Sequence, residues 1–212
     1  ISAFWKRGGC ERQRALWGCF DKGFAMTTTD ALFCSLTPLR LAELVRSARH
    51  AVCYAGPGLQ LDLAQAMVEV AGRVGKEMLT VSLDFDDRVM RMGYGNVDAV
   101  KLLLDAGIAV QSSPGLRTAL VVVDNEGYIF TPTALYLEAE PTDGAASNAV
   151  RMSGEQVSQA LARLSPAAKT IAIAQAKTPE AKQHIEALTV DVVSAPITPE
   201  KLAEVTSSLE TA

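Results

Sequence analysis

The chain has 212 residues, of which 49% are hydrophobic and 21% charged, with a formal net charge of −4. That balance sets the expectation of one ordinary globular domain plus an appendage. No window of the sequence approaches the run of about 20 unbroken apolar residues that a membrane-spanning helix needs. The net charge excludes a generally basic nucleic-acid binder, while leaving room for a local basic patch.

The charge is uneven. Residues 1–25 hold Lys6, Arg7, Arg12, Arg14 and Lys22 against Glu11 and Asp21, a net +3 that leaves −7 for the remainder. This head starts with Ile and has no apolar core of signal-peptide type. It reads as a translated upstream stretch, a fragment of a longer protein, or a basic arm. The domain proper is expected from Met26. The four cysteines, Cys10, Cys19, Cys34 and Cys53, show no Cys-x-x-Cys spacing, and the two histidines, His50 and His184, stand far from them. Neither a zinc site nor a disulfide scaffold is expected. No cofactor is expected, and a reducing, cytoplasmic setting is.

Thr37-Pro38 opens a first helix by the cap-then-proline rule, running to about His50 with Leu39, Leu41, Leu44 and Val45 on its apolar stripe. "AVCYAG" is a short buried strand, broken by Gly56-Pro57-Gly58. A second amphipathic helix spans 59–74 and stops at Gly75, which suits the position after a helix end. "EMLTVSLDF" is the next strand and "DDRVMRMGYGN" a polar loop. Asn96 caps a helix that Gly107 ends, "IAVQSS" is a strand, and Pro114-Gly115 turns into a hairpin whose strands are "VVV" and "YIF". Amphipathic helices between strands imply right-handed crossovers and a parallel sheet, to which the hairpin adds antiparallel pairs.

After about Glu138 the character changes. "EAEPTDGAASN" is a loop, and Ser153 with Gln156 forms a capping box. Ser165-Pro166, Thr178-Pro179 and Thr198-Pro199 announce three more helices, with "LTVDVVSA" as a strand between the last two. The expected division is a basic segment 1–25, a domain 26–140 and a mainly helical extension 141–212.

The hairpin carries the most informative spacing. Arg117, Ala119 and Asp124 are followed by Thr131-Pro132-Thr133-Ala134. This frame resembles the phospholipase D-like superfamily, whose signature is His-x-Lys-x4-Asp-x6-Gly-Ser-x-Asn. The resemblance covers roughly residues 37–137 and rests on frame and segment order. It implies an α/β fold, a mixed sheet flanked by helices. It also implies a homodimer, since members with one motif per chain pair so that two motifs meet.

The family's chemistry does not carry over. Its nucleophilic His is replaced by Arg117, which stays protonated and cannot shuttle a proton, and its Lys by Ala119. Of the six defining residues only Asp124 remains, and Asp-Asn-Glu-Gly is also a good turn in its own right. The expectation is therefore a catalytically inactive member with a binding, regulatory or assembly role. Its ligand-binding set is Arg117, Thr118, Asp124, Thr131 and Thr133. An Arg beside a strand end is a good holder of phosphate or carboxylate; the plain alternative is a surface Arg paired with Asp124 or a nearby acid. The ligand would be nucleic acid, another phosphate-bearing molecule or a protein partner. The rival site is acidic: Asp84, Asp86 and Asp87 follow a strand end, where open α/β sheets gather ligands. With Asp124 they could serve a metal-assisted phosphodiesterase or nuclease.

Overall fold

Local chemistry fixes the helix starts. The hydroxyls of Thr37, Ser165, Thr178 and Thr198 each accept a bond from a backbone N–H three residues on, and each is followed by proline in the first turn. Ser153 and Gln156 form the reciprocal capping box. Gly75 ends its helix at φ 94°, a left-handed geometry that glycine adopts without a Cβ penalty. The computed structural model describes residues 31–137, 139 and 147–211. The expected basic segment 1–25 and most of the 138–148 loop lie outside the described residues.

In chain order the elements are β1 (Phe33–Cys34), α1 (Pro38–Arg46), β2 (Val52–Gly56), α2 (Leu61–Val74), β3 (Leu79–Leu83), α3 (Asp87–Arg91), α4 (Val97–Asp105), β4 (Val110–Ser112), β5 (Ala119–Val123), β6 (Glu126–Phe130), β7 (Ala149–Arg151), α5 (Gly154–Leu164), α6 (Pro166–Gln175), α7 (Pro179–Ala187), β8 (Ala195–Pro196) and α8 (Pro199–Glu210). The strands form one open mixed sheet in the order β1-β7-β6-β5-β2-β3-β4-β8. β2, β3 and β4 are parallel, as the crossovers require, and the hairpin β5–β6 adds antiparallel pairs beside β2.

β2 and β5 read as unbroken apolar runs because helices cover both faces. On one face Tyr54, Val81, Val121 and Val123 meet α1, α2, α4 and α8. On the other, Cys53, Ala55, Leu120 and Val122 meet α5, α6 and Ile185 of α7. Burial pushes the Cys53 thiol up to about 11, so it behaves as a small apolar side chain.

Two expectations change. The loop at 86–96 contains the helix α3, because Asp86 accepts from the Arg88 N–H and caps it. "LTVDVVSA" supplies only Ala195 to a strand, which continues into Pro196 as β8. The mainly helical segment after residue 140 adds two strands, β7 and β8, to the same sheet, and Leu32–Ala212 is one compact unit. Among the described residues no helix is long and apolar enough to cross a membrane.

Two loops at the carboxyl end of β2 touch backbone to backbone. A Cβ on Gly58 would fall 2.7 Å from the Tyr94 carbonyl carbon, and one on Gly95 would fall 2.6 Å from the Leu59 nitrogen. Backbone cannot move aside as a flexible side chain can. Gly58→Ala and Gly95→Ala are each expected to cost about 1–3 kcal/mol of stability. Gly72→Ala, whose Cβ meets nothing within 4 Å, should instead be neutral or stabilising by roughly 0.5–1 kcal/mol. Denaturant midpoints of the three variants check this.

Candidate functional site

The carboxyl edge of β2, β3 and β4 is where the sheet leaves its ladders open, and three chain segments converge there. Asp84 follows β3 and its N–H donates to the Gly56 carbonyl at 3.1 Å; Ser113 follows β4 and its N–H donates to the Leu83 carbonyl at 2.7 Å. β5 runs antiparallel to β2 with Leu120 opposite Ala55. Arg117, just before β5, therefore arrives at this edge.

Arg117 Nη2 stands 3.2 Å from Asp84 Oδ2, with the Arg117 side chain 56% exposed and that of Asp84 6%. Oδ2 is buried and receives no aligned hydrogen bond. The contact is thus an ion pair in which a fixed, buried carboxylate holds one end of a guanidinium whose other donors face solvent. The Ser113 hydroxyl, fully buried at the same edge, also lacks a hydrogen-bond partner. The sequence places Arg117 and Asp84 in two rival sites, with Asp124 or a nearby acid as the partner of a surface Arg117. The observed partner is Asp84. Only the sheet topology could reveal this, since the two residues lie on non-neighbouring strands.

The remaining expected ligand residues divide. Thr118 and Thr131 join Arg117 around an open depression of about 390 Å³ that runs along Phe130 to Asn148 and Val150. Thr133 lines a separate cavity of about 40 Å³ with Leu36, Tyr54 and Tyr94. Asp124 sits at the opposite end of β5, about 20 Å of extended chain from Arg117. Its carboxylate accepts from the backbone N–H groups of Arg49, His50 and Ala51 at 3.0, 2.8 and 3.0 Å.

The acidic set does not gather. Asp84 turns to Arg117, Asp86 caps α3, and Asp87 accepts from Ser208 on α8 at 2.8 Å while facing Arg91. The Ser208 bond, aided by Arg91, holds the Asp87 carboxyl below its usual range. Among the described residues no group of three or more His, Cys, Asp or Glu side chains could hold a metal ion. His50 follows α1 at the Asp124 end, and His184 lies on α7 beside Glu155 and Lys177. Neither reaches the Arg117 edge. That edge can hold an anion through a guanidinium. No family model, no curated protein and no solved structure matches this chain.

Proposed function

We propose that the chain is a catalytically inactive phospholipase D-like protein that holds a phosphate-bearing ligand, nucleic acid included, at Arg117. The observation that carries the reading is the anchoring of Arg117 by Asp84 at the carboxyl edge of the parallel strands. Arg117 occupies the place that the spacing frame gives the nucleophilic His, and the same frame puts Thr131 in the adjoining depression. An Arg held at one end by Asp84 keeps a planar fork of donors for a phosphate. The role is binding, regulation or assembly, in a homodimer as the family resemblance implies.

The test uses the full chain with inorganic phosphate and with a fluorescent oligonucleotide. Binding should fall steeply with salt. Arg117→Ala should weaken it about tenfold or more, and Arg117→Lys should recover only part, because the fork geometry is lost. Turnover of a generic phosphodiester, with or without Mg²⁺ or Mn²⁺, would overturn the inactive reading. Binding that survives Arg117→Ala would place the site elsewhere.

A further inference from the structure

We propose that the sheet face over β6, β7 and β1, which no helix among the described residues covers, is a docking surface for an acidic amphipathic helix of a partner protein. On the side where α5 to α7 pack, cover stops part-way along β6. α5 comes down at Gly127, where a Cβ would fall 2.6 Å from Val157 Cγ2. One step beyond, Ile129 pairs with Val150, and Val150 pairs with Phe33. These three form a single cross-strand row, exposed by 43%, 37% and 64%. A contiguous apolar row on a sheet face, unlike scattered surface leucines, marks a contact surface.

The row's size selects the occupant. Neighbouring strands lie about 4.8 Å apart, so three residues abreast span roughly 10 Å. Seven residues of α-helix rise about the same distance. A helix lying across the strands therefore sets apolar side chains at i, i+3 or i+4, and i+7 over Ile129, Val150 and Phe33. It would lie in the helix layer that α5 begins.

Charge selects its chemistry. Two open depressions, of about 390 and 340 Å³, meet at Ile129 and Val150. Among the described residues lining them there is no Asp or Glu, in a chain of net charge −4. Arg117 stands at one end and Arg163 at the other. Arg163 pairs with Asp191 at 3.1 Å and remains 44% exposed. A second copy docking face to face would set these arginines against each other, and the chain's own residues 1–25 carry a net +3. Phe33 is the only aromatic in the row, which gives nucleobases little to stack on. An apolar stripe flanked by Glu or Asp fits both features.

A fluorescein-labelled helical peptide with Leu at i, i+3, i+7 and i+10 and Glu on the flanks is the probe, read by anisotropy against the full chain. Controls carry Lys for Glu, or the same composition with the stripe scrambled. The acidic striped helix should bind saturably and at least tenfold tighter than either control. Ile129→Glu and, separately, Arg163→Glu should each weaken it about tenfold, with a cooperative thermal transition retained in both. Arg163→Glu should also gain affinity for the Lys-flanked helix, a charge swap that misfolding cannot mimic. Equal binding of the controls, or indifference to both variants, overturns the proposal. So does a homodimer that Val150→Glu dissociates, or an oligo-dT strand whose binding Ile129→Glu abolishes. Phosphate binding in Arg163→Glu should stay intact, since Arg163 lines only the depression away from Arg117, and this separates the surface from the Arg117 anion site.

Discussion

Asp124→Ala should lower the unfolding free energy by about 2–4 kcal/mol while leaving phosphate binding at Arg117 unchanged. The carboxylate accepts three backbone N–H groups, from Arg49, His50 and Ala51, and the Asp124 N–H donates to the Ala51 carbonyl at 2.9 Å. One side chain thus ties the β5–β6 turn to the segment that leads from α1 into β2. Hydrogen bonds to a charged acceptor contribute about 1.5–3 kcal/mol each. These amides are partly open to water, so the total falls well short of three such bonds. Asp124 also sits at φ 55°, a left-handed geometry that Asp and Asn tolerate better than Ala. The series should therefore rank Asp, Asn, Gly, Ala from most to least stable. Asn keeps an acceptor and the backbone geometry, and Gly keeps only the geometry. Urea titrations of the four proteins check the order. If Asp124→Ala kept full stability and lost phosphate affinity instead, Asp124 would be a ligand residue after all.

The sequence made the α/β architecture legible where local rules act alone. Four Ser or Thr caps followed by proline, the Ser153 box and the Gly75 stop are chemistry within a few residues, and each appears as expected. What escaped was decided at long range. β1 and β7 are two- and three-residue strands that exist because each finds a partner across the sheet, Phe33 beside Val150 and Phe130 beside Ala149. No periodicity can show in two residues. "LTVDVVSA" errs the other way: its β-branched run looks like a strand, yet Asp191 is drawn to Arg163 and only the Ala195–Pro196 end reaches β4. The candidate site divides along the same line. Spacing singled out Arg117 and Asp124 together, because seven residues are close in sequence. In an extended strand seven residues are the full depth of the sheet, so the two stand at opposite edges. Asp84 lies 33 positions before Arg117 in the chain and became its neighbour only through the β5-β2-β3 order.

Removing either member of the Asp84–Arg117 pair should lower stability, but should shift phosphate binding in opposite directions depending on which is removed. Arg117→Ala leaves the buried Asp84 carboxylate without its cation. Breaking a fully buried pair in this way costs about 3–5 kcal/mol. Here the guanidinium is more than half exposed, so water takes up part of the loss and about 1–3 kcal/mol is expected. Asp84→Asn keeps the shape, removes the buried charge, and should cost less. The double variant Asp84→Asn with Arg117→Ala should recover much of the loss, giving a coupling energy in the cycle of about 1 kcal/mol or more. Binding separates the roles further. With Asp84 neutral, Arg117 no longer shares its charge with a carboxylate, so an incoming phosphate should bind several-fold tighter to Asp84→Asn and much more weakly to Arg117→Ala. A metal-assisted enzyme would behave otherwise, since Asp84→Asn would then remove a ligand and weaken both metal dependence and phosphate affinity. Tighter phosphate binding together with a small stability loss in Asp84→Asn supports Arg117 as the anion holder and Asp84 as its anchor. Weaker binding in both single variants would mean that Asp84 itself reaches the ligand, and the anchored-arginine account would fall.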